Sequence, residues 1–64
     1  MTIELTNGYK ITGDEFTLNY ISWALDESAA SYVRKGLPHI ARYCQHDSDI
    51  IYRALKEKGF YDTK

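Results

Sequence analysis

Three side chains that often bind metal ions lie close together in the middle of the chain: His39, Cys44 and His46. A structural zinc site needs four ligands in a tetrahedral array, and the spacing His-x4-Cys-x-His is not one of the usual zinc patterns. On a helix, a separation of five residues turns His39 and Cys44 about 140° apart, so their side chains point in different directions. We therefore predict no metal site, and we interpret Cys44 as a small buried side chain.

Acidic residues are the other candidates for chemistry. They form the neighbouring pairs Asp14-Glu15 and Asp26-Glu27, which we place at a helix start and on a polar helix side, where carboxylates are ordinarily solvated. The sequence has no serine-histidine-aspartate order, no glycine-rich phosphate loop and no H-E-x-x-H motif. A chain of 64 residues is also too short to build a deep cleft around two acids. The sequence therefore predicts a protein that is not an enzyme, with no catalytic residues and no cofactor.

The stretch LPHIARYCQHDSDIIYRALKEKGF, residues 37–60, resembles a helix-turn-helix. Ala41 stands at the small position of the first helix of that motif, and residues 53–60 look like the end of a recognition helix in winged-helix regulators. The resemblance implies a DNA-binding regulator. Its inward positions would be filled by Ile40, Cys44, Ile51 and Ala54, and its DNA contacts would come from Arg42, Tyr52, Arg53 and Lys56.

The charges of the chain weigh against DNA binding. Asp47 and Asp49 would occupy the first turn of the recognition helix, where they would repel phosphates. The whole chain has a net charge of −1 and a pI of about 6.0, whereas a DNA reader gains most of its affinity from lysine and arginine. The charge is also unevenly distributed. Residues 1–31 carry one lysine against five acidic residues, a net −4, and residues 32–64 carry seven basic against four acidic residues, a net +3.

The first eleven residues are typical of a β-hairpin around Asn7-Gly8. A two-residue loop would place apolar residues opposite charged ones. A three-residue loop, residues 6–8, with Gly8 in the left-handed conformation sorts the apolar and charged side chains onto separate faces. We therefore predict the three-residue loop, with the pairs Leu5–Tyr9, Ile3–Ile11 and Glu4–Lys10.

Three helices are predicted after the hairpin. Thr12 and Glu15 have the spacing of a capping box at the start of the first helix, and a glycine follows both the first and the last helix, as is usual at helix ends. The fold class is α+β in the order ββααα, one domain over residues 1–64, with residues 62–64 expected to fray. The predicted helices run from the Thr12 cap to about Lys35 before Gly36, from Pro38 to about Gln45, and from Asp47 or Ser48 to Lys58 before Gly59.

The first predicted helix is apolar on two opposite sides, whereas an ordinary surface helix is apolar on one. In one interpretation the helix is sandwiched, with the C-terminal helices on its aliphatic side and the hairpin on its aromatic side. In the other, Tyr20 and Trp23 stay exposed as anchors of an interface, because a two-stranded hairpin is too narrow to cover them. The aliphatic stripe consists of Leu18, Ile21, Leu25, Ala29, Tyr32 and Val33, and the aromatic stripe of Phe16, Tyr20, Trp23 and Ala30.

These features favour a small protein-interaction module over the DNA-binding alternative. Six tyrosines are more than so small a core can absorb, and tyrosine and tryptophan are favoured at interfaces. The expected partner is a protein, such as a larger host complex that the chain inhibits or modulates, as accessory proteins of phages and mobile elements do. A homodimer is a third alternative, because small domains are often stabilised by self-association. The predicted protein-binding residues are Phe16, Tyr20, Trp23, Tyr9, Asp26 and Glu27.

The sequence predicts a cytoplasmic protein without a membrane partner. The N-terminus lacks the basic and apolar regions of a signal peptide, and no apolar stretch approaches the roughly 20 residues that span a bilayer. Cys44 is the only cysteine, so no internal disulfide can form, which fits a reducing compartment.

Overall fold

The computed structural model describes residues 1–62 as a short β-hairpin followed by two long helices. Residues 63 and 64, part of the segment expected to fray, lie outside the described residues. The elements are β1 (Thr2–Glu4), β2 (Lys10–Thr12), α1 (Glu15–Arg34) and α2 (Pro38–Glu57). Within residues 1–62, neither helix is apolar enough over its length to cross a membrane.

The hairpin has the predicted register. Ile3 lies opposite Ile11, and Glu4 lies opposite Lys10. The loop is closed by the amide of Leu5, which donates to the carbonyl of Tyr9 at 2.6 Å. Gly8 has a φ of 79°, a conformation that glycine adopts without strain. The predicted three-residue loop is therefore confirmed.

Helix α1 begins later than predicted. Its N-cap is Asp14, whose carboxylate accepts the backbone N–H of Thr17 at 2.7 Å. The predicted capping box at Thr12 is wrong because Thr12 belongs to β2, where its hydroxyl lies 2.9 Å from the hydroxyl of Thr2 on the facing strand. A side chain already paired across the hairpin does not cap the helix that follows.

The end of α1 was predicted correctly. Gly36 has a φ of 78° and donates its N–H to the carbonyl of Val33, while Leu37 donates to the carbonyl of Tyr32 at 2.8 Å. These two bonds define a Schellman ending, which leaves only three residues between the helices. So short a connection makes α1 and α2 antiparallel neighbours.

Helix α2 is continuous, so the prediction of three helices is wrong and the order of elements is ββαα. The sequence contains no glycine or proline between residues 39 and 58. Asp47, interpreted as a cap, instead accepts the backbone N–H of Thr6 at 3.0 Å and its hydroxyl, and the Thr6 hydroxyl also lies 3.1 Å from Nδ1 of His46. The capping side chain therefore holds the hairpin loop, and the helix passes through it unbroken.

Ser48, the other predicted cap, faces α1. Its hydroxyl donates to the carbonyl of Ser22 at 2.9 Å, and the two hydroxyls are 2.9 Å apart. The Ser22 hydroxyl lies 3.2 Å from the carbonyl of Ser48, and both side chains are buried. This serine pair lets the two helix backbones approach closely while every buried polar group keeps a partner.

The core lies where the hairpin meets the two helices. Ile3 from β1, Leu18 from α1, and Ile51 and Leu55 from α2 are buried there. Spacing of four residues places Ile51 and Leu55 on one side of α2, as expected for an amphipathic helix. Partly buried residues packed against this core are Met1, Leu5, Ile11, Ile21, Leu25, Ile50, Ala54, Phe60 and Tyr61.

Replacing Asp47 with alanine should loosen the hairpin. The substitution leaves the Thr6 amide without its acceptor, and we expect a loss of about 1 kcal/mol in the free energy of unfolding. The matched control is Asp49→Ala, two residues further along the same helix, which removes only an exposed ion pair worth about 0.5 kcal/mol or less. Urea titration measures both. Equal destabilisation by the two variants would contradict the role of Asp47 as the hairpin tether.

The cap of α1 should make stability depend on pH. Its bond from the Thr17 amide holds the pKa of Asp14 below the ordinary 3.8. A lowered folded-state pKa stabilises the fold above the unfolded pKa, and this contribution is lost as pH falls through the folded pKa. The stability advantage of the wild type over Asp14→Ala should therefore shrink between pH 7 and pH 3. Asp14→Asn, a cap without charge, serves as the control. A difference in unfolding free energy between the wild type and Asp14→Ala that stays the same from pH 7 to pH 3 would contradict the assignment.

A candidate protein-binding groove

A groove runs between α1 and α2 on one side of the helix pair. Each helix contributes residues at positions i, i+3, i+4 and i+7, the spacing of one helix side. The buried serine pair, Ser22 and Ser48, forms the floor at the middle. The walls are Asn19, Trp23 and Asp26 from α1, and Gln45, Asp49 and Tyr52 from α2.

The groove consists of two adjoining open cavities. The first, of about 460 Å³, reaches from Trp23 to Tyr61 beyond the end of α2, and the second, of about 320 Å³, extends to Gln45. Ser22, Asp26 and Tyr52 line both cavities, so they form one continuous depression. Its length follows the two antiparallel helices.

The β-hairpin leaves this groove open. Its loop is bound to Asp47, and two residues of helix turn Asp49 about 200° away from Asp47. The tether and the groove therefore lie on opposite sides of α2. Within residues 1–62, only the helices and Tyr61 line the groove, and no residue of the hairpin covers it.

Four aromatic rings form a cluster at one end of the groove. Phe16 contacts Phe60 edge to face with ring centroids 5.3 Å apart, and Phe60 contacts Tyr61 in the same way at 5.1 Å. Tyr61 lies 4.9 Å from Tyr52 of α2. The Tyr61 hydroxyl donates to Oδ1 of Asn19 at 2.5 Å. The residues after α2 therefore fold back onto α1 and close this end of the groove.

The aromatic stripe of α1 is exposed. Phe16, Tyr20 and Trp23 have 79%, 66% and 64% of their surfaces exposed. The interpretation in which the hairpin covers this stripe is therefore wrong, because the hairpin packs on the other side. Trp23 lines the groove, Phe16 belongs to the ring cluster, and Tyr20 lies further around α1, outside both cavities.

The remaining predicted protein-binding residues are divided. Asp26 lines both cavities, but Glu27 points about 100° away from it and lines neither. Tyr9 is exposed on the hairpin, and within residues 1–62 it contacts none of the clustered rings. The structure thus brings Trp23 and Asp26 together and leaves Glu27 and Tyr9 apart from them.

The residues predicted to contact DNA lie along one side of α2 but do not form a compact basic patch. Arg42 and Lys56 are fourteen residues apart on a continuous helix, which is about 21 Å. Arg53 is paired with Asp49 at 3.0 Å, and Tyr52 faces the groove. The turn that defines a helix-turn-helix is absent because α2 is unbroken through residues 45–48. The resemblance therefore has no structural counterpart.

The residues considered for metal binding have other surroundings. His46 contacts the hydroxyl of Thr6, and Cys44 is half-buried on α2. Within residues 1–62, no three histidine, cysteine or acidic side chains converge as a metal site requires.

Sequence reasoning missed several parts of this site. They are the groove residues Asn19, Ser22, Gln45, Ser48 and Asp49 and the rings of Phe60 and Tyr61 at its end. Gly59 was the available signal for the two rings, because a Schellman ending reverses the chain: Phe60 donates its N–H to the carbonyl of Leu55 at 3.0 Å. The reversal returns both rings to the helix pair. The length of the unbroken α2 decides where they arrive, and that length was predicted wrongly.

Comparison of the chain with protein-family models, with curated proteins and with solved structures found no match. The residues of the groove therefore carry the functional inference.

Tyr61 should ionise at higher pH than an exposed tyrosine. Partial burial disfavours its phenolate and raises its pKa above 10.0, and the nearby Tyr52 adds to the effect. A raised folded-state pKa gives stability that is present below pH 10 and lost as pH rises through the folded pKa. Absorbance titration at 295 nm should show that Tyr61→Phe removes an ionisation above pH 10. Tyr43→Phe, at an exposed site on α2, is the control. The assignment would be contradicted if the ionisation that disappears in Tyr61→Phe occurs at or below pH 10.

Proposed function

We propose that this protein is a non-enzymatic interaction module that binds a partner protein through the open groove and its exposed aromatic rings. The observation that carries the proposal is the exposure of Trp23 beside the cavity between α1 and α2. Tryptophan and tyrosine dominate the binding energy of protein interfaces, because they bury large areas at little cost in side-chain entropy.

The shape of the groove favours a protein partner over a small ligand. Small-molecule sites enclose 70–90% of their ligand. Here both cavities are open along one side of the helix pair, so a small ligand would remain largely in water. A partner that brings its own surface, such as a helix laid along the groove, would cover the rings on the side of the helix pair that the hairpin leaves open.

This proposal leads to a mode of action and to a location in the cell. A module that performs no chemistry acts by occupying a surface of its partner, so we propose that it inhibits or modulates a larger host complex. We also propose a cytoplasmic location, because the one cysteine, Cys44, fits a reducing compartment.

DNA binding receives less support than protein binding. The groove side carries Asp26 and Asp49, which would repel phosphates. Arg53, one of the basic residues, already pairs with Asp49.

Trp23→Ala should abolish partner capture while the protein stays folded. The side chain is mostly exposed, so its removal should change the free energy of unfolding by less than about 1 kcal/mol. The measurement is a pull-down from a lysate of the cells that express the chain, quantified by mass spectrometry. Specific partners should fall at least about tenfold with the variant.

The matched control is Tyr43→Ala. Tyr43 is 58% exposed on α2, but it lies four residues from Asp47, on the hairpin side. It should capture the same partners as the wild type, and circular dichroism should show both variants folded. A captured set that is unchanged by Trp23→Ala would refute the proposal.

A further inference from the structure

We propose that the partner inserts an arginine side chain into the groove, between Trp23 and Tyr52 and against the carboxylate of Asp26. This inference rests on the proposed function and specifies the chemistry of the partner. It assigns the groove to a basic segment of a foreign protein and not to a second copy of this chain.

The groove carries unbalanced negative charge. Asp26 lines both cavities, and Asp49 lines the second. No lysine, arginine or histidine among residues 1–62 lines either cavity. Arg53 pairs with Asp49, but within the same residues Asp26 has no ion pair. An incoming positive charge would therefore meet a carboxylate that no other residue neutralises.

The residues next to Asp26 select a guanidinium. Trp23 lies one turn before it on α1, and Tyr52 lines the same cavity from α2. A guanidinium is flat, stacks on aromatic faces and donates two parallel hydrogen bonds to a carboxylate. Tryptophan is also the best aromatic partner for a cation. An ammonium group is more strongly hydrated and would gain less from the rings, so arginine is favoured over lysine.

A second copy of the chain is a poor occupant. Two identical surfaces usually meet around a two-fold axis, which places each residue near its own counterpart. An axis through the serine pair, Ser22 and Ser48, would bring Asp26 and Asp49 of both copies together. The two Asp26 carboxylates, which have no ion pair within residues 1–62, would then repel each other in the interface.

Basic residues beyond the cavities define what flanks the arginine. Arg42 and Lys56 lie seven residues before and after Asp49, on the same side of α2 and about 10 Å away in each direction. The groove therefore has an acidic middle and basic ends. A complementary segment has arginine at its centre and acidic residues about two helical turns to either side.

The test is an unbiased selection of displayed random 16-residue peptides on the immobilised full chain, in low salt. Selected peptides should be enriched in arginine. Binding of the strongest one, made synthetically, can be followed by the emission of Trp23, the only tryptophan of the chain. Replacing its arginine with neutral citrulline should weaken binding at least about tenfold, and so should Asp26→Asn in the protein. Glu27→Gln, the neighbouring acid outside the groove, should change affinity less than about twofold.

The outcomes separate this inference from the proposed function. Selected peptides without arginine, or arginine peptides indifferent to Asp26→Asn, would refute the arginine site. If such peptides still require Trp23, the interaction module stands. Failure to select any peptide, or peptides indifferent to Trp23→Ala, would refute both. Sedimentation should show a monomer, and a dimer that dissociates with Trp23→Ala would assign the groove to a second copy.

Discussion

The close approach of α1 and α2 at Ser22 and Ser48 determines the rest of the structure. Two small side chains that hydrogen-bond to each other and to the facing backbone bury polar groups without bulk. Larger residues at these positions would push the helices apart and fill the space above them. Because both positions are serine, the floor of the groove is low and the aromatic rings on either side project above it. The groove is thus a consequence of which residues are small as much as of which are aromatic.

The sequence predicts those parts of the fold that depend on short-range patterns. Alternation of apolar and charged residues fixes the hairpin register, and Gly36 fixes the end of α1, because each requires only neighbouring residues. The break predicted near Asp47 fails for the opposite reason. The hydrogen-bond partner of Asp47 is Thr6, 41 residues earlier in the sequence. A capping rule considers only neighbouring residues, so it does not include this contact. A polar residue therefore indicates a helix cap only when its side chain has no hydrogen-bond partner distant in the sequence.

The candidate site is predictable to the same extent. The periodicity of α1 separates an aromatic from an aliphatic side, and Trp23 and Asp26 are recognisable on the former. The choice between a covered and an exposed aromatic side depends on where the hairpin docks, which the tether to α2 decides. The contribution of Tyr61 depends on the length of α2. The sequence therefore shows which residue types lie on each side of a helix. Only the tertiary contacts show which of these residues come together in one site.

The long sequence separation between the hairpin and its partners constrains how the chain can be made. Ile3 and Leu18 pack against Ile51 and Leu55, so the N-terminal part has no core until most of the chain has been synthesised. The two helices, joined by three residues, can pair through local contacts, whereas the hairpin must wait for contacts distant in sequence. During synthesis the hairpin therefore emerges before the residues of α2 that it packs against, and it is among the last elements of this fold to form.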